Sequence, residues 1–164
     1  MKHFPFYVDI SKKRIAVVGG GKIATRRITT LLSFQPEITV FAPNLTETLR
    51  EYVLSGKINY IARVIERKSF HAGNDTENSI LEKLNQDIIL SATDDRMVNH
   101  MVYQYAKEHH IPVNVCDCQE ECDFFFPAIM ESTHAVASIT ADGDNHALVH
   151  QLAEKMRELL QKLD

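Results

Sequence analysis

The fold of this 164-residue chain is indicated by the stretch Val17-Val18-Gly19-Gly20-Gly21-Lys22-Ile23-Ala24. It follows a candidate buried strand, opens a segment of helical period and has the spacing Gly-x-Gly-x-x-Ala. Gly19 permits a tight turn, Gly21 lets a pyrophosphate approach the backbone, and Ala24 keeps the helix close to the sheet. The N–H groups at the start of the helix then point at the phosphates. This context predicts a dinucleotide site rather than a purely structural glycine turn.

On both sides of this stretch, short apolar runs alternate with longer segments of helical period. The predicted strands are 13–18, 37–41, 58–64, 87–91 and 112–115, and the predicted helices are 23–33, 46–55, 79–84 and 97–109, with a loop over 71–76. Such alternation indicates an α/β fold, a Rossmann-like doubly wound parallel sheet with helices on both faces. We assign residues 1–115 to this NAD-binding domain.

The pattern changes after residue 115. Two strand-like runs, 124–130 and 135–140, predict an antiparallel hairpin, in which Pro127 favours an edge position or a bulge. An amphipathic helix over 145–163 follows, capped by Asp144 or Asn145. We therefore expect residues 116–164 to form a small appended αβ unit that serves dimerisation and substrate binding.

Composition limits the classes of function. Hydrophobic residues make up 45% and charged residues 24%, which is typical of a soluble globular protein. No apolar run reaches the roughly 18 residues of a membrane span. The net charge of −4 disfavours nucleic-acid binding. The first 70 residues nevertheless carry +7, which favours an anionic ligand in that half, although a solvated basic surface is the alternative.

The residues that follow the second and fourth strands are candidates for cofactor contacts. The second strand runs into Pro43-Asn44, where the usual acidic ribose ligand is missing, so backbone groups near Pro43 and the Asn44 amide are the substitutes. No arginine stands there for a 2′-phosphate, which favours NAD. After the fourth strand, Thr93 could contact the cofactor, and Asp94 or Asp95 could cap the next helix.

The fifth strand runs into Asp117, at the same edge of the sheet. A carboxylate there could accept a proton while a hydride leaves the substrate, and a solvated loop aspartate is the alternative. Cys116, Cys118 and Cys122 lie close by, but their spacing lacks the CxxC pairs of a zinc site. We predict ordinary reduced thiols, as in cytosolic proteins, and no metal site.

Six blocks of the sequence together resemble the precorrin-2 dehydrogenase family, the N-terminal module of siroheme synthases. They are residues 4–9, 18–27 (V-G-G-G-K-I-A-T-R-R), 40–43 (V-F-A-P), 91–99 (S-A-T-D-D-R-M-V-N), 113–117 (V-N-V-C-D) and 122–127 (C-D-F-F-F-P). The blocks occur in the family's order and at similar spacing over residues 4–131. The resemblance rests on this combination of blocks, since the glycines alone are a weaker signal.

The resemblance implies a cytoplasmic enzyme that oxidises precorrin-2 to sirohydrochlorin in siroheme biosynthesis, with NAD as hydride acceptor. It ties Asp117 to catalysis and places cofactor contacts at Lys22, Ile23, Pro43, Asn44 and Thr93. It also implies a homodimer joined through the unit after the Rossmann domain. Basic residues that could balance the polycarboxylate substrate are Lys12, Lys13, Arg14, Lys22, Arg26 and Arg27.

The chain departs from the family pattern near its end. The usual Ser-Pro of the turn is replaced by Asn145-His146, and a basic helix residue by His150. The chain also stops at Asp164, before the C-terminal helical segment of longer members. We therefore expect a dehydrogenase, and the sequence leaves open whether it acts alone or hands its product to a separate chelatase. The alternatives are a bifunctional dehydrogenase and ferrochelatase, or a catalytically silent NAD- or tetrapyrrole-binding sensor.

Overall fold

Five strands pair in parallel in the computed structural model, which describes residues 3–65, 86–141 and 146–162. The strand order is β3-β2-β1-β4-β5. The strands are β1 (Arg14–Val18), β2 (Glu37–Ala42), β3 (Asn59–Ala62), β4 (Ile88–Ser91) and β5 (Val113–Val115), and the helices between them are α1 (Lys22–Leu32), α2 (Glu47–Leu54) and α3 (Arg96–Glu108). The predicted Rossmann-like parallel sheet is confirmed.

The central strand β1 fixes the arrangement of the sheet. Val17 pairs with Val40 of β2 on one side and with Leu90 of β4 on the other. Residues 15–18 are all buried, because a central parallel strand covered by helices presents both faces to apolar neighbours. From β1 the chain first adds β2 and β3 on one side of the sheet, and then adds β4 and β5 on the other side. The crevice between β1 and β4 is therefore the topological switch point, where open α/β sheets bind ligands.

The amino edge of the sheet is held by one carboxylate. Asp87, just before β4, accepts a hydrogen bond from the backbone N–H of Arg14 at 2.9 Å, and Lys13 Nζ lies 3.6 Å from its other oxygen. The hydrogen bond from Arg14, with the charges of Lys13 and Arg14, lowers the pKa of Asp87. Lys12 precedes β1 at this same edge. These three basic residues thus lie at the edge of the sheet opposite the glycine turn.

A second compact unit consists of Met1–Tyr7 and Phe125–Asp164, whereas Val8–Phe124 form the unit of the parallel sheet. In the smaller unit, β6 (Ala128–Glu131) and β7 (Val136–Ile139) form an antiparallel hairpin, and helix α4 (His146–Gln161) packs against both strands. The Tyr7 hydroxyl lies 3.2 Å from Ser138 Oγ and joins the N-terminal segment to β7. Residues 116–124 thus group with the sheet, unlike the division drawn at residue 115.

Other boundaries differ from the prediction for local reasons. The first hairpin strand begins at Ala128 rather than at 124, because Pro127 has no N–H for a strand ladder. The carbonyl of Phe124 instead accepts a hydrogen bond from Asn114 Nδ2 at 2.8 Å. The predicted loop over 71–76, the helix over 79–84 and the caps Asp144 and Asn145 lie outside the described residues. Within the described ranges, no helix is long and apolar enough to cross a membrane.

Candidate active site

The three glycines of the turn after β1 lie in different surroundings. Gly19 has φ +117°, and a Cβ there would collide with the carbonyl group of Ala92 in the loop after β4. A Cβ at Gly20 would collide with the carbonyl oxygen of Asn44. At Gly21 an added Cβ would meet no atom within 4 Å. Gly19 and Gly20 are thus required by the packing of the loops, whereas Gly21 leaves open space that a ligand can enter.

The start of α1 adjoins that open space. Gly21 is the N-cap residue and supplies no side-chain hydrogen bond to the first turn. Lys22 and Ile23 begin the helix on its exposed side, and Ala24 is completely buried. A helix N-terminus whose N–H groups face open space is the usual setting for a pyrophosphate. The geometry therefore suits the phosphate groups of a dinucleotide.

A cleft of about 770 Å³ lies at the carboxyl edge of the sheet. The ends of β1, β2 and β4 contribute Gly19, Pro43 and Thr93, and α3 contributes His100 and Gln104. Of the predicted cofactor residues, the structure thus brings Gly19, Pro43 and Thr93 together. The others, Gly21, Lys22, Ile23, Ala24 and Asn44, adjoin the turn without belonging to this lining.

Arg63 also lines the cleft, and sequence reasoning missed it. It follows β3, and its backbone N–H donates to the carbonyl of Ala42 at 3.2 Å. The pairing of β2 with β3 therefore brings Arg63 close to the end of β2. The residues around Pro43-Asn44 in the sequence do not predict that Arg63 lies nearby.

The loop that carries Thr93 is locked by a buried side chain, Asn99. Its Oδ1 accepts hydrogen bonds from Ser91 Oγ at 2.8 Å and from Thr93 N at 3.1 Å, and Thr93 Oγ1 lies 2.7 Å from the same oxygen. Its Nδ2 donates to the Thr93 carbonyl at 3.1 Å. Asn99 thus fixes both the backbone and the hydroxyl of Thr93. In the sequence, the sign of this role is the spacing between the two residues within the A-T-D-D-x-x-V-N block.

The two aspartates of this loop have different roles. Asp95 caps α3, since its Oδ1 accepts from the N–H groups of Met97 at 2.8 Å and Val98 at 3.2 Å. One of the two predicted capping residues is therefore confirmed. Asp94 is exposed and lines the cleft.

Asp117 follows β5 at the same edge of the sheet, outside the lining of the cleft. Its side chain is 36% exposed, and its Oδ1 lies 3.1 Å from Arg96 Nη1. Arg96 also donates to Glu121 Oε1, and His100 Nδ1 lies 2.7 Å from that oxygen. Because His100 lines the cleft, these contacts connect the cleft to Asp117.

The carboxylate of Glu121 is the centre of this network. Burial by itself would raise the pKa of Glu121, but the hydrogen bonds and charges of Arg96 and His100 outweigh burial and lower it. Glu121 is therefore ionised at neutral pH and holds the Arg96 guanidinium by a charge-assisted hydrogen bond.

The cysteines have packing roles in the described structure. Cys122 Sγ lies 3.2 Å from both the N and the O of Val115, and Cys118 and Cys122 pack against the core. Burial raises the pKa of the Cys116 and Cys122 thiols. Over the ranges that the structure describes, no group of three or more His, Cys, Asp or Glu side chains is arranged to hold a metal ion.

A protein-family model described as NAD(P)-binding, NAD_binding_7, matches residues 6–128, three quarters of the chain. The chain belongs to this NAD(P)-binding family. Membership confirms the predicted nicotinamide dinucleotide cofactor. The matched residues contain the glycine turn, the cleft and Asp117.

Relatives of this NAD(P)-binding chain share its sequence over 98% of its length. It is 42% identical to "Probable multifunctional siroheme biosynthesis protein HemA" of Ruminiclostridium josui. It is 33% identical to a siroheme synthase of Mannheimia succiniciproducens and 32% identical to one of Actinobacillus pleuropneumoniae. The chain spans 29–31% of the length of these relatives. The resemblance to siroheme synthases drawn from the six blocks is confirmed.

Among solved structures, the NAD(P)-binding chain is similar to SirC, a precorrin-2 dehydrogenase. The TM-score is 0.71 at 24% identity, and the alignment covers 95% of this chain and 70% of SirC. The two proteins thus share a fold. The individual site residues predicted from the sequence stay predictions.

Proposed function

We propose that this chain oxidises precorrin-2 to sirohydrochlorin in siroheme biosynthesis, with NAD as hydride acceptor. The observation that carries the proposal is a carboxylate, Asp117, at the same sheet edge as a nucleotide-sized cleft at the switch point. Sequence similarity to siroheme synthases and the fold shared with SirC support it. The setting we propose is the cytoplasm, with a separate chelatase as the consumer of the product.

The cofactor is held by the glycine turn, the end of β2 and the Thr93 loop. Gly19, Gly21, Lys22, Ile23 and Ala24 are the residues that we assign to the pyrophosphate end. Pro43 and Asn44, both exposed at the end of β2, are assigned to the ribose, and Thr93 to the part of the cofactor that enters the cleft. NAD, when bound, supplies the acceptor for one hydride.

Asp117 is assigned the proton that leaves with that hydride. Oxidation of the reduced ring removes two electrons and one hydrogen as hydride, and a second hydrogen leaves as a proton while a new double bond forms. Asp117 Oδ1 is engaged by Arg96, whereas Oδ2 has no hydrogen-bond partner among the described residues. A carboxylate oxygen that no neighbouring group engages is placed to accept a proton.

Positive charge near the glycine turn suits a polycarboxylate tetrapyrrole. Lys22 and Arg26 lie exposed in the first half of α1. Arg27 is partly buried beside Cys116, at the carboxyl end of β5. These three residues come from the basic set predicted from the sequence and lie at the carboxyl edge of the sheet.

We also propose that the chain forms a homodimer through the unit of the hairpin and α4. Phe4, Phe6 and Tyr7 are 85%, 79% and 64% exposed, and Leu148, Leu152 and Leu159 are exposed on α4. Large apolar side chains in such numbers favour burial against another surface. Light scattering coupled to gel filtration should give twice the chain mass, and F4S/F6S should shift the protein towards the monomer.

The proposal is tested by following the absorbance of precorrin-2 with this protein under anaerobic conditions, with and without NAD. Sirohydrochlorin should form only when NAD is present. If precorrin-2 stays unoxidised while a known dehydrogenase oxidises it in a parallel reaction, the dehydrogenase assignment is wrong. Binding of both ligands without turnover would identify the silent sensor instead.

A further inference from the structure

Three polar side chains near Asp117 form a connected set that sequence reasoning did not identify. Arg96 begins α3, His100 lies one turn later, and Glu121 ends a short 3-10 helix, Gln119–Glu121. Arg96 reaches Asp117 through Nη1 and Glu121 through Nη2. The guanidinium thus bridges two carboxylates that lie on either side of it.

Glu121 is the fixed end of this bridge. Its side chain is only 12% exposed, and its backbone N–H donates to the Cys118 carbonyl at 3.3 Å. Its Oε1 accepts from Arg96 and lies 2.7 Å from His100 Nδ1. A long arginine side chain that would otherwise sample many rotamers is thereby held in one orientation.

We propose that Arg96 is a positioning residue for Asp117 in the oxidation, and that Glu121 and His100 hold Arg96 in place. The inference rests on the proposed function, in which Asp117 accepts the proton. The guanidinium binds Oδ1, so that Oδ2 is the oxygen to which we assign the proton. Because small errors in the placement of a reacting group cost large factors in rate, loss of this contact lowers turnover.

The position of Arg96 separates this role from cofactor binding. Arg96 does not belong to the lining of the cleft, whereas its neighbours Asp95 and Met97 do. Changes at Arg96 therefore lower kcat and leave the affinity for NAD unchanged. Lysine at this position restores part of the loss, because an ammonium group pairs with one carboxylate but cannot bridge two in a fixed plane.

A double-mutant cycle of R96Q and D117N tests the inference, with kcat on precorrin-2, KM for NAD and the NAD dissociation constant measured for each protein. R96Q should lower kcat by about tenfold or more, with both NAD constants within about twofold of the wild type. In the D117N background, R96Q should cause no further loss, because Arg96 acts only through Asp117. R50Q removes an arginine that pairs with Glu47 on α2 at 3.1 Å, and serves as the matched control.

Two further variants keep the test decisive when the residual activity of D117N is too small to measure. R96K should recover part of the kcat lost in R96Q, and E121Q should lower kcat while NAD affinity is retained. The inference is overturned if R96Q keeps the wild-type kcat, if it lowers kcat by the same factor in both backgrounds, or if R96K and R96Q are equally impaired. An inactive wild type would refute the proposed function itself, whereas an active wild type with an unaffected R96Q refutes the positioning role alone.

Discussion

The two edges of the parallel sheet use the same kinds of side chain for different purposes. At the amino edge, Asp87 accepts from the backbone of Arg14 and is close to two basic side chains, so it joins β1 to the start of β4. At the carboxyl edge, the described part of the chain gives Asp117 one guanidinium contact, at Oδ1, and no hydrogen-bond partner for Oδ2. An aspartate beside an arginine thus supports the fold at the amino edge, whereas at the carboxyl edge the same pair leaves a carboxylate oxygen available. The direction of the strands determines at which of the two edges each pair lies.

The largest effect should come from Asp117. If it accepts the proton, D117A should lower kcat for precorrin-2 oxidation by about 10²–10⁴-fold, the usual contribution of general base catalysis. The melting temperature should change little, because the Asp117 side chain and its ion-pair partner Arg96 are both partly exposed. D87N, the corresponding change at the amino edge, should keep kcat within about twofold. Equal losses of kcat in D117A and D87N would contradict the assignment of the chemistry to the carboxyl edge.

Asn99 should have the next largest effect, on stability and on cofactor binding together. N99A removes the hydrogen-bond partner of the Ser91 hydroxyl and of the backbone N–H and carbonyl of Thr93, at about 1–3 kcal/mol for each buried group left unsatisfied. The melting temperature should fall by several degrees, and NAD binding should weaken because the Thr93 loop loosens. Calorimetry and titration with NAD measure both quantities. N59A, at an exposed position on β3, is the control and should alter neither.

Substitutions at two glycines of the turn, Gly20 and Gly21, should have smaller effects and should separate protein stability from NAD binding. G20A should destabilise the fold, because the added Cβ meets the Asn44 carbonyl. G21A has free space in the protein and should melt close to the wild type. If the pyrophosphate occupies that space, however, G21A should weaken NAD binding by about tenfold, or about 1.4 kcal/mol. A G21A protein with wild-type NAD affinity would place the phosphates elsewhere.

The smallest effect should come from acid titration of the amino edge. The pKa of Asp87 is lowered in the folded protein, first by the Arg14 N–H and then by the charges of Lys13 and Arg14. Its stabilisation is therefore fully present above the unfolded-state pKa of about 3.9 and is lost as the pH falls through the folded value. D87N should thus show a flatter fall in melting temperature as the pH decreases below about 4, by about a few degrees at most for an exposed pair. An unchanged slope would mean that Asp87 does not stabilise this edge.

The parts of the molecule predicted correctly from the sequence are those encoded locally. The apolar run 15–18 and the glycines that follow it predict a buried central strand and a tight turn into a helix, since both depend on neighbouring residues. The contacts of Arg96 with Asp117 and Glu121 join residues more than 20 positions apart, and they form only because β4 and β5 are adjacent. Charge counted along the chain puts Lys12, Lys13 and Arg14 together with Lys22 and Arg26, whereas the sheet separates the two groups to opposite edges.

The most direct measurement is the number of NADH molecules formed per precorrin-2 consumed, determined anaerobically for the wild type, D87N and D117A. If the carboxyl edge is the site of oxidation, the wild type and D87N should form one NADH for each sirohydrochlorin at similar rates, and D117A should form almost none in the same time. Wild-type turnover by D117A, or oxidation of precorrin-2 without formation of NADH, would contradict this assignment.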